Sequence, residues 1–205
     1  HLGTFIAANQ LARELSELGK YIEAERCYRQ TYEGRRRIQG EEHNDTLNSL
    51  SAIGIVLNEQ GKYLEAELCF NQVLESRRRV LGNEDPKTLS SLKWLAINLR
   101  DQNKYKEAEI YYREILKQLR ASLGNDHIDT MKYTAALAWS LGKQDKFEEA
   151  EPYLREALKG YKVLKNEDDP FPLRVCHALG ENLFNQNKFE EAEPYFREAL
   201  EGKIR

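Results

Sequence analysis

Glutamates, histidines and cysteines are the side chains of this chain with acid–base, metal-binding or nucleophilic chemistry, and their spacing argues against all three. Glu23 and Glu25 flank Ala24, a pairing that suits a shared proton between a general acid and a base. The same Glu-Ala-Glu recurs around Ala66, Ala108, Ala150 and Ala192. A reaction centre breaks a pattern, whereas this pattern repeats, so the pairs are expected to be solvated or to form ion pairs within a helix. His1, His43 and His127 fall at equivalent places, too far apart to share a metal. Cys176 precedes His177, but adjacent helix positions point about 100° apart, which disfavours a Cys–His dyad. No glycine-rich phosphate loop and no Cys-x-x-Cys pair occurs. The sequence therefore predicts no catalytic residue, no metal site and no cofactor.

The recurrence itself carries the information. Lys20-Tyr21, Lys62-Tyr63, Lys104-Tyr105, Lys146-Phe147 and Lys188-Phe189 each open the phrase Lys-aromatic-x-Glu-Ala-Glu, at a constant spacing of 42 residues. A fixed period of this size denotes stacked copies of one supersecondary element. The register divides the chain into repeats 1–42, 43–84, 85–126, 127–168 and 169–205, one array that begins at a repeat boundary without an initiating Met and reads as a fragment of a longer protein.

Each repeat reads as two helices. From Thr46 to Gln60, residues Leu47, Leu50, Ile53, Gly54 and Leu57 recur three and four apart, one apolar stripe. Tyr63 to Leu81 carries Ala66, Phe70, Val73 and Leu74 on another, and Gly82 is a stop. Asp85-Pro86 and Asp169-Pro170 look like an N-cap followed by proline in the first turn. Pro152 and Pro194 are expected in opening turns, where a missing N–H is tolerated. Small residues recur where paired helices must meet: Ala12, Gly54, Ala96, Ala138 and Gly180 in the first helix, and the five motif alanines in the second. Arg35-Arg36-Arg37 and Arg77-Arg78-Arg79 end second helices, where capping and solvation are expected.

The totals set limits. Charged residues make up 32% and the formal net charge is -3, so no basic excess points to nucleic acid. No apolar run approaches the roughly 18 residues of a membrane span. Cys27 and Cys69 are repeat-equivalent, about 10 Å apart if neighbouring helices pack normally. That exceeds the reach of a disulfide, about 7 Å between Cα atoms. Free thiols and a cytoplasmic location are expected.

The small-residue pattern with an intervening aromatic resembles the tetratricopeptide repeat (TPR), which implies an all-α, right-handed solenoid of five helix-turn-helix repeats. The 42-residue spacing, Arg36 and Arg78, the Leu81-Gly82 and Leu123-Gly124 pairs, the His43-x-Asp45-Thr46 and His127-x-Asp129-Thr130 starts, and the stretch Arg100 to Ala108 resemble the long repeats of kinesin light chains. The doubled Asn of that family's first helix survives only as Asn9-Gln10, and its Val-Ala after the cap is Thr-Leu or Thr-Met.

In that architecture the first helix of every repeat lines a concave groove. Positions i, i+3, i+7 and i+10 beside the packing stripe select Ile6, Asn9, Arg13 and Ser16; Asn48, Ser51, Ile55 and Asn58; Ser90, Lys93, Ile97 and Arg100; Lys132, Ala135, Trp139 and Gly142; and Arg174, His177, Glu181 and Phe184. Five cations stand against one carboxylate, Glu181, with apolar residues between them. Such a face suits an extended protein or peptide partner bearing acidic and large hydrophobic residues. The resemblance implies the same ligand class, cargo peptides in which Trp is flanked by acidic residues. The plain alternative is packing of the aliphatics, with solvated cations and a core Trp139. The carboxylate clamp of chaperone-tail binders is matched only at Lys93. Two further functions stay open: the sensing arm of a signalling ATPase, and a structural array associating end to end.

Overall fold

A computed structural model describes residues 2–164 and 170–201. Among them lie ten helices: α1 (Leu2–Glu17), α2 (Tyr21–Gln39), α3 (Asn44–Glu59), α4 (Tyr63–Leu81), α5 (Pro86–Asp101), α6 (Tyr105–Leu123), α7 (Ile128–Gly142), α8 (Phe147–Leu164), α9 (Phe171–Asn185) and α10 (Phe189–Glu201). The fold is an all-α repeat. The helices group into two compact units, His1–Asn103 and Lys104–Arg205.

Local chemistry explains why every repeat breaks at the same places. The turn inside a repeat needs one residue in the left-handed region, supplied by Gly19, Gly61, Asn103, Asp145 and Asn187, all with φ between 60° and 74°. Glycine adopts that region freely, and Asn and Asp tolerate it better than other residues. The following lysine then closes the helix end: the Lys62 amide donates to the Leu57 carbonyl at 2.9 Å, and the Lys20, Lys146 and Lys188 amides repeat this bond. Second helices end at Gly40, Gly82 and Gly124, also with positive φ. First helices start on a side-chain cap. Nδ1 of His43 accepts from the Asp45 amide at 3.2 Å, Asp85 Oδ1 from the Lys87 amide at 2.8 Å, and His127 Nδ1 from the Asp129 amide at 3.1 Å. Asp169 lies outside the described residues, and α9 follows directly on Pro170.

The small residues are buried. Ala12, Ala24, Ala66, Ala96, Ala108, Ala138, Ala150 and Ala192 are at most 1% exposed, and Gly54 and Gly180 are buried. A Cβ on Gly54 would stand 2.7 Å from the ring of Phe70, and one on Gly180 would stand 2.9 Å from Phe196. Pro152 and Pro194 correct an expectation. Each is the sixth residue of its helix, past the opening turn, so each removes one internal backbone hydrogen bond.

Gly54 and Gly142 make a paired test, since both lie in first helices and a Cβ on Gly142 meets nothing within 4 Å. Gly54→Ala should lower stability by ~1–2 kcal/mol through overpacking. Gly142→Ala should be neutral or raise it by ~0.5–1 kcal/mol. Urea melts that give the two variants equal stability would contradict this packing.

Candidate functional site

The repeated carboxylates occupy the joints between repeats. In the second unit, Glu109 Oε2 accepts from Gln144 Nε2 at 2.9 Å and Lys146 Nζ at 2.8 Å, both from the next repeat. Glu151 does the same with Gln186 at 3.0 Å and Lys188 at 2.8 Å. In the first unit Glu25 accepts from Gln60 at 2.7 Å and Lys62 at 3.3 Å, and Glu67 accepts from Gln102 at 2.7 Å. Arginines extend each joint. Arg155 pairs with Glu151 on its own helix, with Glu191 of the next repeat at 3.1 Å, and with the Tyr195 hydroxyl at 3.1 Å. Arg113 likewise joins Glu109, Glu149 and Tyr153. Except for Glu193, which is exposed and pairs with Arg197 on its own helix as the sequence suggested, the second glutamate of the motif is thus neither solvated nor confined to its own helix. The glutamines recur at 42 residues too, a signal available in the sequence and passed over.

Two arginines of the basic triplets are also not where solvation would put them. Arg35 and Arg77 are 7% and 4% exposed. They continue the buried stripes Ala24, Tyr28, Thr31 and Ala66, Phe70, Val73 at helical spacing. Arg77 donates to the Lys87 carbonyl at 3.0 Å, to Ser91 Oγ at 2.9 Å and to Asn48 Oδ1 at 2.6 Å, binding α4 to α5 and α3. Arg35 donates to the Asp45 carbonyl and to Ser49 Oγ, and Asn9, with its amide oxygen turned inward, accepts from it at 2.9 Å. Burial pushes the Arg77 pKa down.

The first-helix face of the first unit is therefore more self-satisfied than its sequence suggested. Asn9 and Asn48 each hold a buried arginine. Asn58 accepts from Asn98 at 2.8 Å and donates to Asp101 at 3.0 Å. Asp101 in turn takes Nε and Nη2 of Arg100, at 2.9 and 2.7 Å. Arg13 pairs with Glu17 at 3.6 Å. Asp101 and Glu17 thus stand beside two of the five cations, a balance missed because neither acid falls on the selected stripe. Ile55, Lys93 and Ile97 are half-buried on the same face, and Ser51 is buried.

In the second unit the face keeps its charge and exposes aromatic surface. Lys132 is exposed, with no ion pair among the described residues. Arg174 is exposed, its guanidinium 5.7 Å from the Phe171 ring centroid. Trp139 is 37% exposed rather than core; Tyr105 meets it edge-on at 5.6 Å, and Lys143 Nζ lies 5.3 Å from its ring. Phe184 is 55% exposed against Phe189. His177 lies 3.5 Å from Glu181 and beside Phe196. Ala135 is buried. Among the described residues, no cluster of three potential metal ligands occurs, and no helix is long and apolar enough to cross a membrane.

Family comparison agrees with this geometry. The tetratricopeptide-repeat model matches residues 3–79, 54–120, 87–163 and 143–204, so the chain belongs to the tetratricopeptide repeat family. That family supplies scaffolds for protein–protein interaction, and no catalytic family is indicated. No curated protein matches the sequence. Among solved structures, a Podosopora anserina chain described as a kinesin light chain with nearly identical TPR-like repeats superposes with a TM-score of 0.86 at 20% identity, covering 99% of this chain and 96% of that one. BtubC (BKLC) from P. vanneervenii gives 0.84 at 18% identity, covering 95% and 77%. The Rap conjugation gene regulator of plasmid pLS20, in complex with the Phr* peptide, gives 0.67 at 18% identity, covering 97% and 53%.

The joints make acid stability testable. Burial raises the Glu151 pKa, but hydrogen bonds from Lys188, Arg155 and Gln186 outweigh it and hold the carboxyl at about 2, against an ordinary 4.5. Since the folded value lies below the unfolded one, this contribution is complete above about pH 4.5 and is lost as the pH falls towards about 2. Glu151→Gln should reduce stability at neutral pH by ~1–3 kcal/mol and flatten the acid limb of the stability curve. Denaturant melts with an unchanged acid limb would show that the joint contributes nothing.

Proposed function

We propose that the five repeats act as one array that holds an extended peptide, acidic and carrying a large hydrophobic residue, along its first-helix faces. The observation that carries this reading is Trp139, a tryptophan left exposed on a helix face with Lys143 Nζ 5.3 Å from its ring; Lys132 on the same helix and Arg174 on α9 are exposed and, like Lys143, in no ion pair among the described residues. Exposed aromatics flanked by cations favour a partner that brings both an apolar anchor and negative charge. The Rap conjugation gene regulator, of similar fold, is in complex with the Phr* peptide, which supports this reading. Asn9, Asn48 and Asn58 would read the peptide backbone, while Ile55, Lys93, Ile97, Arg100 and His177 would line its path. The chain would work as a non-enzymatic cargo-type adaptor in the cytoplasm, where its three free cysteines stay reduced.

Titration of a fluorescent peptide with Trp between acidic residues should show micromolar, salt-sensitive binding. Lys93→Glu combined with Lys132→Glu should weaken it by about tenfold or more, and Trp139→Ala by a similar factor. Arg100 is a poor choice for reversal, since a glutamate there would face Asp101. Undiminished affinity in both variants would place the binding surface elsewhere.

A further inference from the structure

Glycine weakens a helix interior, so a glycine inside a helix calls for a reason. Packing accounts for Gly34, Gly54, Gly160 and Gly180, where a Cβ would run into Phe5, Phe70, Met131 and Phe196 respectively. Backbone conformation accounts for the turn glycines such as Gly61 and Gly82, which have positive φ. Gly142, the last residue of α7, falls in neither group. A Cβ there meets nothing within 4 Å, and the left-handed turn of this repeat is made by Asp145. The same register position holds Ser16, Asn58, Arg100 and Phe184 in the other repeats, so the fold accepts side chains as large as Arg and Phe there.

The open space at Gly142 adjoins Trp139, one turn earlier on the same face of α7. On the other side of Trp139 the face is small again, with Ala136 half-buried and Ala135 buried. The other repeats carry Asn9, Ser51, Lys93 and His177 at the register of Ala135. The fourth repeat therefore has the smallest residue of the five at both positions that flank its tryptophan. This opening is internal to the array, since α7 is in contact with α6 before it and α9 after it. Lys132 lies two turns before Trp139 and Lys143 one turn after it, both exposed and in no ion pair among the described residues.

We propose that Trp139 and Gly142 form an anchor subsite for one large aromatic side chain, flanked in its own chain by acidic residues. The ring packs against the exposed part of Trp139, where aromatic pairs gain more than their buried area alone provides. It extends over Gly142, whose missing side chain lets it approach the helix backbone. The neighbouring carboxylates meet Lys132 and Lys143. This rests on the peptide reading of the same face and adds which peptide side chain is selected, and where.

Fluorescence anisotropy with three labelled peptides tests this, carrying tryptophan, leucine or alanine between acidic residues. The unmodified chain should bind the tryptophan peptide about tenfold or more tightly than the alanine peptide, with the leucine peptide between them. Gly142→Gln fills the opening with a neutral side chain of higher helix propensity, so its denaturant melt should not fall. It should weaken the tryptophan peptide by about tenfold and leave the alanine peptide within about twofold. Gly142→Ala should cost the tryptophan peptide about threefold, and it carries the test if Gly142→Gln fails to fold. An undiminished tryptophan preference in a folded Gly142 variant would overturn the subsite and leave the peptide reading standing. Equal weakening of all three peptides, or leucine bound as tightly as tryptophan, would also overturn the subsite. An unmodified chain that binds none of the peptides would overturn both.

Discussion

The paired helices of a repeat each bury an alanine or glycine, and at Gly54 and Gly180 an aromatic ring leaves no room for a Cβ. Most of the stability of a short helix comes from packing rather than propensity, so this contact determines which surface of each helix is committed. Once Ala12 and Ala24 are buried, or Gly54 lies under the ring of Phe70, the orientation of the first helix about its axis is set. The side chains a third of a turn away are then left on the outer face. The exposure of Trp139 and Lys132 is in that sense a consequence of methyl-sized residues elsewhere on the same helix.

The buried arginines show how one packing position tolerates different chemistry. Arg35 and Arg77 share their register with Leu119 and Tyr161, which are 1% and 3% exposed. Among the described residues the arginines donate to neutral acceptors, namely two backbone carbonyls, two serine hydroxyls and two asparagine amides, and Asp85 acts on Arg77 through its charge without a hydrogen bond. Burying a cation without an anion is costly, and charge-directed hydrogen bonds offset much of that cost. The Nε of each finds no acceptor. Polar contacts at this position constrain direction more strongly than apolar ones do, and they reach the exposed Asn48.

Helix boundaries were legible because they depend on local residues: capping His or Asp, left-handed Gly, Asn or Asp, and stripes of period 3.6. The small-residue contacts were legible because five copies reveal them. Pairings across repeats were less so. Glu25 and Gln60 are 35 residues apart, and nothing local in either marks the other as its partner. Arg77 was misjudged because charge was weighed above position, although it continues the stripe of Phe70 and Val73. The charge of the first unit's face was overstated because a strict helical stripe excludes Asp101, whose side chain nonetheless folds back onto Arg100.

The joint glutamate and lysine recur at the same offset in all five repeats, so each repeat carries both charges of the joint. A gene encoding such a protein can gain or lose a segment of 126 nucleotides, three per residue of the 42-residue repeat, and still encode matched joints. A deletion of one codon between a carboxylate and its lysine and glutamine would put that joint out of register. Length is therefore the property most open to evolutionary change here, and the spacing between motifs the least.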